Sequence, residues 1–479
     1  MQTISNPEHF EVLTSTYDLV TIGSGSAARA AANEARRLGK SVAMIEHGTA
    51  GGTCLNVGCV PSKTLLAAAA TRFAALHQNF PGIKTYAEPA NLALLVNDKD
   101  QMITQFRDTF HVKGPVEAGI NVLLGTAVFT PSENRDCVSL VVEGSEDSIQ
   151  VQAKHVIIAS GASPFIPEIP GLLDVDFLTS SSAMSLKSVP ESLLVVGGNA
   201  IGLEQAQLFS RLGSKVKVIE VAPRIAPFED HAISATLKES LTKQGVEFLT
   251  GADLKQVKVG GDLVICTVIV GEDTHVITAE KILIATGRRP VTEKLNLDAV
   301  NVSVGARGQV IVDKHLMTSN PRIWAAGDVT GEAQFVYVAV EQGRLAASNA
   351  LGGELSSLDY NALPRVTFTS PELASVGLTP LQAEERGIPY EIRELPVAFV
   401  LRAIVSRHSD GLIRLVSDSQ TGTILGVHMV SESAGDVIAA ATYIISANMT
   451  VHQLANIWSP EFTMTESLKN VAKTSPITN

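Results

Sequence analysis

The chain has 479 residues, 45% hydrophobic and 18% charged, with 37 Lys and Arg against 49 Asp and Glu. That length exceeds one hydrophobic core and predicts roughly two to four globular domains, not a disordered chain. A formal net charge of −12 argues against nucleic acid or an anionic membrane surface as partner.

The opening stretch MQTISNPEHFEVLTST, residues 1–16, lacks the basic and apolar regions of a secretion signal. No run of about eighteen apolar residues follows anywhere, so no membrane span is expected. Four cysteines in 479 residues do not make a disulfide scaffold, which suits a reducing, cytoplasmic setting. The first element, YDLVTIGSGSAARAAANEARRLG, reads as a buried strand, a glycine turn and an Ala-rich helix. Gly23, Gly25 and Ala28 fit G-x-G-x-x-G/A: a tight turn, backbone close to a pyrophosphate, and a small residue between helix and strand. Phosphates would sit at the helix N-terminus. Glu46, ending SVAMIE, is the acid expected about twenty positions on for a ribose hydroxyl.

GGTCLNVGCVPSK follows, with Cys54 and Cys59 separated by four residues. A zinc site would want a second pair or nearby histidines, and a staple across so short a loop would restrict the unfolded chain little. A disulfide that cycles during turnover needs an electron source beside it. Further on, Cys137 and Cys266 lie alone in strand-like runs and read as buried structural thiols. The strand–turn–helix–strand plan then returns in ESLLVVGGNAIGLEQAQLFSRLGSKVKVIE, with Gly197, Gly202 and the terminal acid Glu220. Asn199 stands at the middle-glycine position, where its tolerance of left-handed φ would keep the turn. Glu220 would repel a 2′-phosphate and favour NADH, while Arg224 would favour NADPH. Each unit has a downstream strand closed by a glycine turn, HVIIASGASP with Gly161 and KILIATGRRP with Gly287. Two dinucleotides in one chain are the expectation; two such folds of unrelated use are the plainer alternative.

From Tyr17 to about Lys473 the chain resembles the pyridine nucleotide–disulfide oxidoreductases. The motifs that carry this are the two glycine fingerprints, GGTCLNVGCVPSK, ATGRRP, WAAGDV and VTFTSPELASVG. The resemblance implies an α/β fold with two Rossmann-like dinucleotide-binding domains and a C-terminal α+β dimerisation domain. Residues 17–160 and 289–355 would bind FAD, 161–288 would bind NAD(P)H, and 356–479 would form a homodimer interface. It also implies FAD contacts from Gly23, Gly25, Ala28, Glu46, Gly52, Thr53, Gly161 and Asp328, and NAD(P)H contacts from Gly197, Asn199, Gly202, Glu220 and Gly287. Electrons would pass from nicotinamide through flavin to a Cys54–Cys59 disulfide, with Cys59 nearer the flavin and Cys54 meeting substrate. A helix starting near the pair would favour the thiolate. Lys63 matches the family lysine near the flavin, and Glu204 matches its ion-pair partner.

Disulfide-reducing members carry HPxxxE near the C-terminus. Here the stretch is WSPEFTMTESLK, with Ser459 and Met464 in the acid–base positions; none of the 11 histidines falls there, and His452 is assigned to a turn. FTM…ESLK and QFVYVAVEQG bring the chain nearest, by motif, to the mercuric reductase branch. That branch's C-terminal Cys pair is absent from NVAKTSPITN, and Glu461 replaces a tyrosine. The expected function is NAD(P)H-dependent reduction of a thiol-bound metal ion such as Hg(II), held by Cys54 and Cys59 as substrate. The alternatives are reduction of an organic disulfide or other small acceptor, and redox sensing.

Overall fold

The computed structural model describes residues 15–132, 134–144, 148–352 and 354–477. The expectation about residues 1–16 therefore rests on a stretch whose first fourteen residues lie outside the described ones, as do the last two of NVAKTSPITN. The chain forms two compact units. The first comprises the segment up to Val60, Asp100–Pro164 and Arg288–Leu358; the second comprises Pro61–Lys99, Phe165–Gly287 and the chain from Asp359 onward.

In the first unit, strand β1 (Ser15–Ile22) is buried at every residue of its last turn-facing stretch, 19–22. It is flanked by parallel neighbours, β2 (Val42–Glu46) and the strand Ser148–Ile158. Covered on both faces, such strands read as apolar runs without alternation. The sheet order is Asn121–Leu124, β2, β1, Ser148–Ile158, Val138–Glu143, Thr126–Thr130. The strand Ser148–Ile158 also pairs, parallel, with Ile323–Ala325. Helix α1 (Ser26–Arg37) turns Ala27, Ala28, Ala31, Ala32 and Ala35 inward. That small-residue face admits the helix Val336–Leu351 so closely that a Cβ on Gly343 would overlap the Ala27 backbone.

The second unit repeats the plan. Its parallel sheet runs Val246–Thr250, Lys215–Glu220, Ser192–Val196, Lys281–Ile284, Leu178–Thr179. A three-stranded antiparallel sheet, Ala252–Gly260, Leu263–Val270 and Asp273–Ala279, is inserted before the strand Lys281–Ile284. The same unit holds a five-stranded antiparallel sheet from Arg365–Thr367 to Ile424–Ser431. The helices Ala434–Ser446 and Glu466–Ala472 bury Val437, Ile438, Leu468 and Val471 in the core of this part.

Two local expectations are corrected. Cys137 is half-buried in a bend ahead of Val138–Glu143, because the turn at 135–136 lifts it off the sheet. Cys266, by contrast, is buried within its strand as expected, and burial pushes its thiol up to about 11. His452 lies on the helix Val451–Asn456, whose start is capped by Thr450. Among the described residues no helix is long and apolar enough to cross a membrane.

Candidate active site

The first glycine turn is shaped by close backbone approach. Gly23 has φ +108°, and a Cβ there would lie 2.5 Å from the Ala159 carbonyl oxygen. Gly25 needs no unusual φ: it is extended, at φ −69° and ψ −172°. Its bareness matters for proximity, since a Cβ on Gly52 would come within 2.6 Å of the Gly25 Cα. The start of α1 therefore faces the start of α2 (Gly52–Asn56) with no side chain between the two glycines. The first-turn N–H groups of α1 lack helical acceptors, so this bare cradle suits a pyrophosphate. Glu46 is buried against it: Oε2 accepts from the Ser24 N–H at 3.0 Å and hydroxyl at 2.6 Å, and Oε1 accepts from the Gly48 N–H at 2.7 Å. The Ser24 hydroxyl in turn accepts from the Gly51 N–H at 3.0 Å. Glycine turn and cysteine loop are thus tied through one carboxylate.

The second turn copies this bonding. Gly197 has φ +113°, and Glu220 accepts from the Gly198 N–H at 2.6 Å and the Ala222 N–H at 2.8 Å. A Cβ on Gly202 would overlap the Gly197 carbonyl oxygen. Asn199 departs from expectation, being exposed and extended at φ −104° and ψ −175°. No left-handed residue is needed at this position, as Gly25 already indicates. Arg224 is engaged locally, donating to the carbonyls of Ala226 at 3.3 Å, Pro227 at 2.6 Å and Glu229 at 2.8 Å.

Cys54 lies within α2 and Cys59 opens α3 (Cys59–Leu76); both are half-buried. Gly58 lets the loop fold back, since a Cβ there would be 2.9 Å from the Thr53 carbonyl oxygen and 3.3 Å from the Cys54 Cα. The Asn56 amide pins the other side, donating to the carbonyls of Ala50 and Gly52 at 2.9 Å each and accepting from Arg107 at 3.2 Å. Asp328 follows the Gly327 turn, whose N–H is held by Gln342 Oε1 at 2.7 Å. Burial pushes the Asp328 carboxyl above its ordinary value, against the pull of the Arg288 guanidinium 3.6 Å away. Arg288 also donates to the Ala162 carbonyl and reaches the Thr53 hydroxyl at 3.4 Å. His111 accepts from Arg29 at 3.1 Å, and burial with that neighbouring cation lowers it to about 4.

In the second unit, Lys63 Nζ lies 2.7 Å from Glu204 Oε2, a carboxylate only 9% exposed. Glu204 Oε1 accepts from the Phe368 N–H at 2.9 Å, and the Lys63 ammonium lies 4.5 Å from the Phe368 ring centroid.

Residues 17–343 match the pyridine nucleotide-disulphide oxidoreductase family, and residues 363–472 match its dimerisation domain. The chain belongs to this family. The oxidoreductase is 46% identical to the mercuric reductase of Streptomyces lividans over 96% of each chain. It is 44% identical to that of Bacillus cereus, over 95% of this chain and 70% of the other. A dihydrolipoyl dehydrogenase of Chlamydia muridarum is 33% identical over 92% of both. Among solved structures, the Cu(II) complex of the HOCl-induced flavoprotein disulfide reductase RclA from Escherichia coli superposes with a TM-score of 0.84 at 29% identity, covering 96% of this chain and 99% of that one. The protein is thus an NAD(P)H-dependent flavoprotein disulfide oxidoreductase that uses FAD, with the expected α/β fold and a dimerisation domain.

Near the C-terminus of the oxidoreductase, Ser459 is half-buried, Glu461 is exposed, and Met464 packs against the core of the dimerisation part. Gly161 and Gly287 take φ +72° and +125° at the downstream turns. Sequence reasoning passed over Arg288, although it stands in the quoted ATGRRP stretch. It also passed over Ser24, Gln342 and Phe368, which carry no spacing signal and are found only by contact.

Proposed function

We propose that this oxidoreductase carries two electrons from NADH to a soft metal ion held by thiolates, Hg(II) foremost. The 46% identity with a mercuric reductase over nearly the full length of both chains carries this reading. FAD supplies two-electron exchange between a dihydronicotinamide and a disulfide. Gly23, Gly25, Ala28, Glu46, Gly52, Thr53, Gly161 and Asp328 would hold it. Gly197, Asn199, Gly202, Glu220 and Gly287 would hold the nicotinamide dinucleotide. Cys59, at the start of α3, is the thiolate that exchanges electrons, since a helix N-terminus favours an anion. Cys54 and Cys59 together bind the ion as substrate, Cys54 meeting it first, and Lys63 with Glu204 keeps a fixed ammonium. One NADH reduces Hg(II) to Hg(0), releasing NAD⁺, one proton and the two thiolate ligands.

Two features support a metal acceptor. A cysteine pair by itself suits an ion satisfied by two soft ligands. Second, 457–466 contains no imidazole, and losing a positioned acid typically costs a disulfide reductase about 10²–10⁴-fold. NADH is favoured over NADPH because Glu220 occupies the turn while Arg224 is committed to three carbonyls. A homodimer is supported by Trp458, Tyr443 and Phe399, which are 97%, 73% and 72% exposed in the dimerisation part. A cytoplasmic setting fits a dithiol that must be reduced at every turnover.

The test is NADH oxidation with Hg(II) in excess thiol, Cu(II), lipoamide and oxidised glutathione compared side by side. Hg(II) should drive turnover and the two disulfides should not. The 33% identity with a dihydrolipoyl dehydrogenase favours lipoamide as the second reading, and rapid lipoamide turnover without Hg(II)-dependent oxidation would put it first.

A further inference from the structure

The Lys63–Glu204 pair has a third member. Glu204 is nearly buried, and each of its carboxylate oxygens is used: Oε2 by the Lys63 ammonium at 2.7 Å, Oε1 by the Phe368 N–H at 2.9 Å. The Phe368 ring lies 4.5 Å from the same ammonium. One residue therefore grips the anion with its backbone and faces the cation with its ring. A ring face attracts a cation and removes water from it without offering a competing hydrogen bond.

The backbone that places this ring is over-determined. The Ser370 carbonyl accepts from Gln207 at 2.7 Å, Arg211 at 3.0 Å and Gln244 at 2.7 Å. The Ser370 N–H donates to Gln207 Oε1 at 2.9 Å. Glu204, Gln207 and Arg211 lie along one face of the helix Ala200–Leu212, at the i, i+3 and i+7 spacing that shares a helix side. That face fixes segment 368–370 and Lys63 together. The ring itself is 41% exposed, so filling the core does not explain its position.

We propose that Phe368 is a positioning residue for Lys63. Its ring covers the ammonium and fixes its direction, while its N–H keeps Glu204 aimed at the amine. Lys63, whose side chain is still 36% exposed, is then a charge of constant orientation, screened from water on its ring side and able to favour the electron-rich state of the bound flavin. The effect on flavin rests on the proposed function and on Lys63 standing beside flavin, as the family resemblance implies; the effect on Lys63 does not.

The test uses the full chain, with FAD and stripped of it, as Phe368→Leu, Phe368→Tyr and Lys63→Met. The first readout is the acylation rate of Lys63 by an amine-directed reagent, mapped by peptide mass, with buried Lys99 as internal control. Acylation takes the neutral, accessible amine, so losing the ring face should raise the Lys63 rate roughly two- to tenfold in Phe368→Leu. Phe368→Tyr keeps a ring face and should stay within about twofold of the parent. The second readout is the flavin midpoint potential, which should fall in Phe368→Leu and in Lys63→Met. An unchanged Lys63 rate in Phe368→Leu, an equal rise at Lys99, or a Tyr variant that behaves like Leu would overturn the proposal. If Lys63→Met leaves the potential unmoved, the placement of Lys63 beside flavin fails, and the acylation rates still decide the role of Phe368.

Discussion

Glu46 and Glu220 use their carboxylates alike: each takes the N–H of the residue after the first glycine and the N–H two positions beyond itself. Removing either acid loosens a turn before it affects any ribose. Glu220→Ala should therefore raise KM for NADH by about tenfold or more, the scale of a lost charged hydrogen bond, and narrow the preference over NADPH. Glu220→Gln, which can still accept from Gly198, should narrow the preference with a smaller rise in KM. Steady-state kinetics with both nucleotides checks this, and a parent enzyme that prefers NADPH would contradict it. At Cys59 the expectation is spectroscopic. Anaerobic two-electron reduction should produce a long-wavelength absorbance band that Cys59→Ser lacks while retaining FAD; survival of the band would remove the pair from the redox path. The spacing of Gly23, Gly25, Ala28 and Glu46 made the first site legible, because turn, approach and packing each demand a residue type at a fixed offset. The carboxylates' bond to their own turns was not legible, since spacing specifies a position and not a partner. Asn199 shows the same limit: the residue suggested a left-handed turn, and the backbone is extended.

Helix–strand closeness in the two units is achieved with different residues. The first turn accepts Ala28, fully buried, while the second tolerates no Cβ at Gly202 because the Gly197 carbonyl already occupies the space. Gly202→Ala should therefore destabilise the protein by about 1–3 kcal/mol, the range for overpacking against a partner that cannot retreat. Ala28→Gly should cost only about 1 kcal/mol, from helix propensity. Thermal unfolding of the two variants orders them, and equal losses would refute the difference. The two strand–turn–helix units were readable because their periodicity is local. The Lys63–Glu204–Phe368 group joins positions 63, 204 and 368, a separation no local pattern encodes; two of the three were accessible only through family motifs.

For the molecule as a whole, acid should be the weak direction. His428 is fully buried, donating its Nε2–H to the Leu378 carbonyl at 2.9 Å, with Glu229, Asp230 and Arg365 as charged neighbours; burial lowers its pKa. His111 is lowered to about 4. The unfolded chain thus binds protons below the ordinary histidine value of about 6.5 that the folded chain refuses, and stability falls as pH drops through that window. Glu229 and Asp230 are held below the usual carboxylate range by Arg365 and Arg414 against their own burial. They add stability that persists above that range and is lost below it. Melting temperature should hold near neutrality, decline from about pH 6.5 toward 4, and decline less in His428→Gln; a flat profile would reject the assignment.

The strand Ser148–Ile158 meets β1 on one edge, and Val138–Glu143 and Ile323–Ala325 along the other. Its last neighbour is made long after β1, with the whole of Phe165–Gly287 intervening. The sheet from Leu178 to Ile284 has no such gap. During synthesis at about 5–20 residues per second, that later sheet can close while the earlier one still waits for Ile323–Ala325. Order of emergence and order of completion are inverted, and the exposed edge of Ser148–Ile158 is where a nascent chain would need shielding.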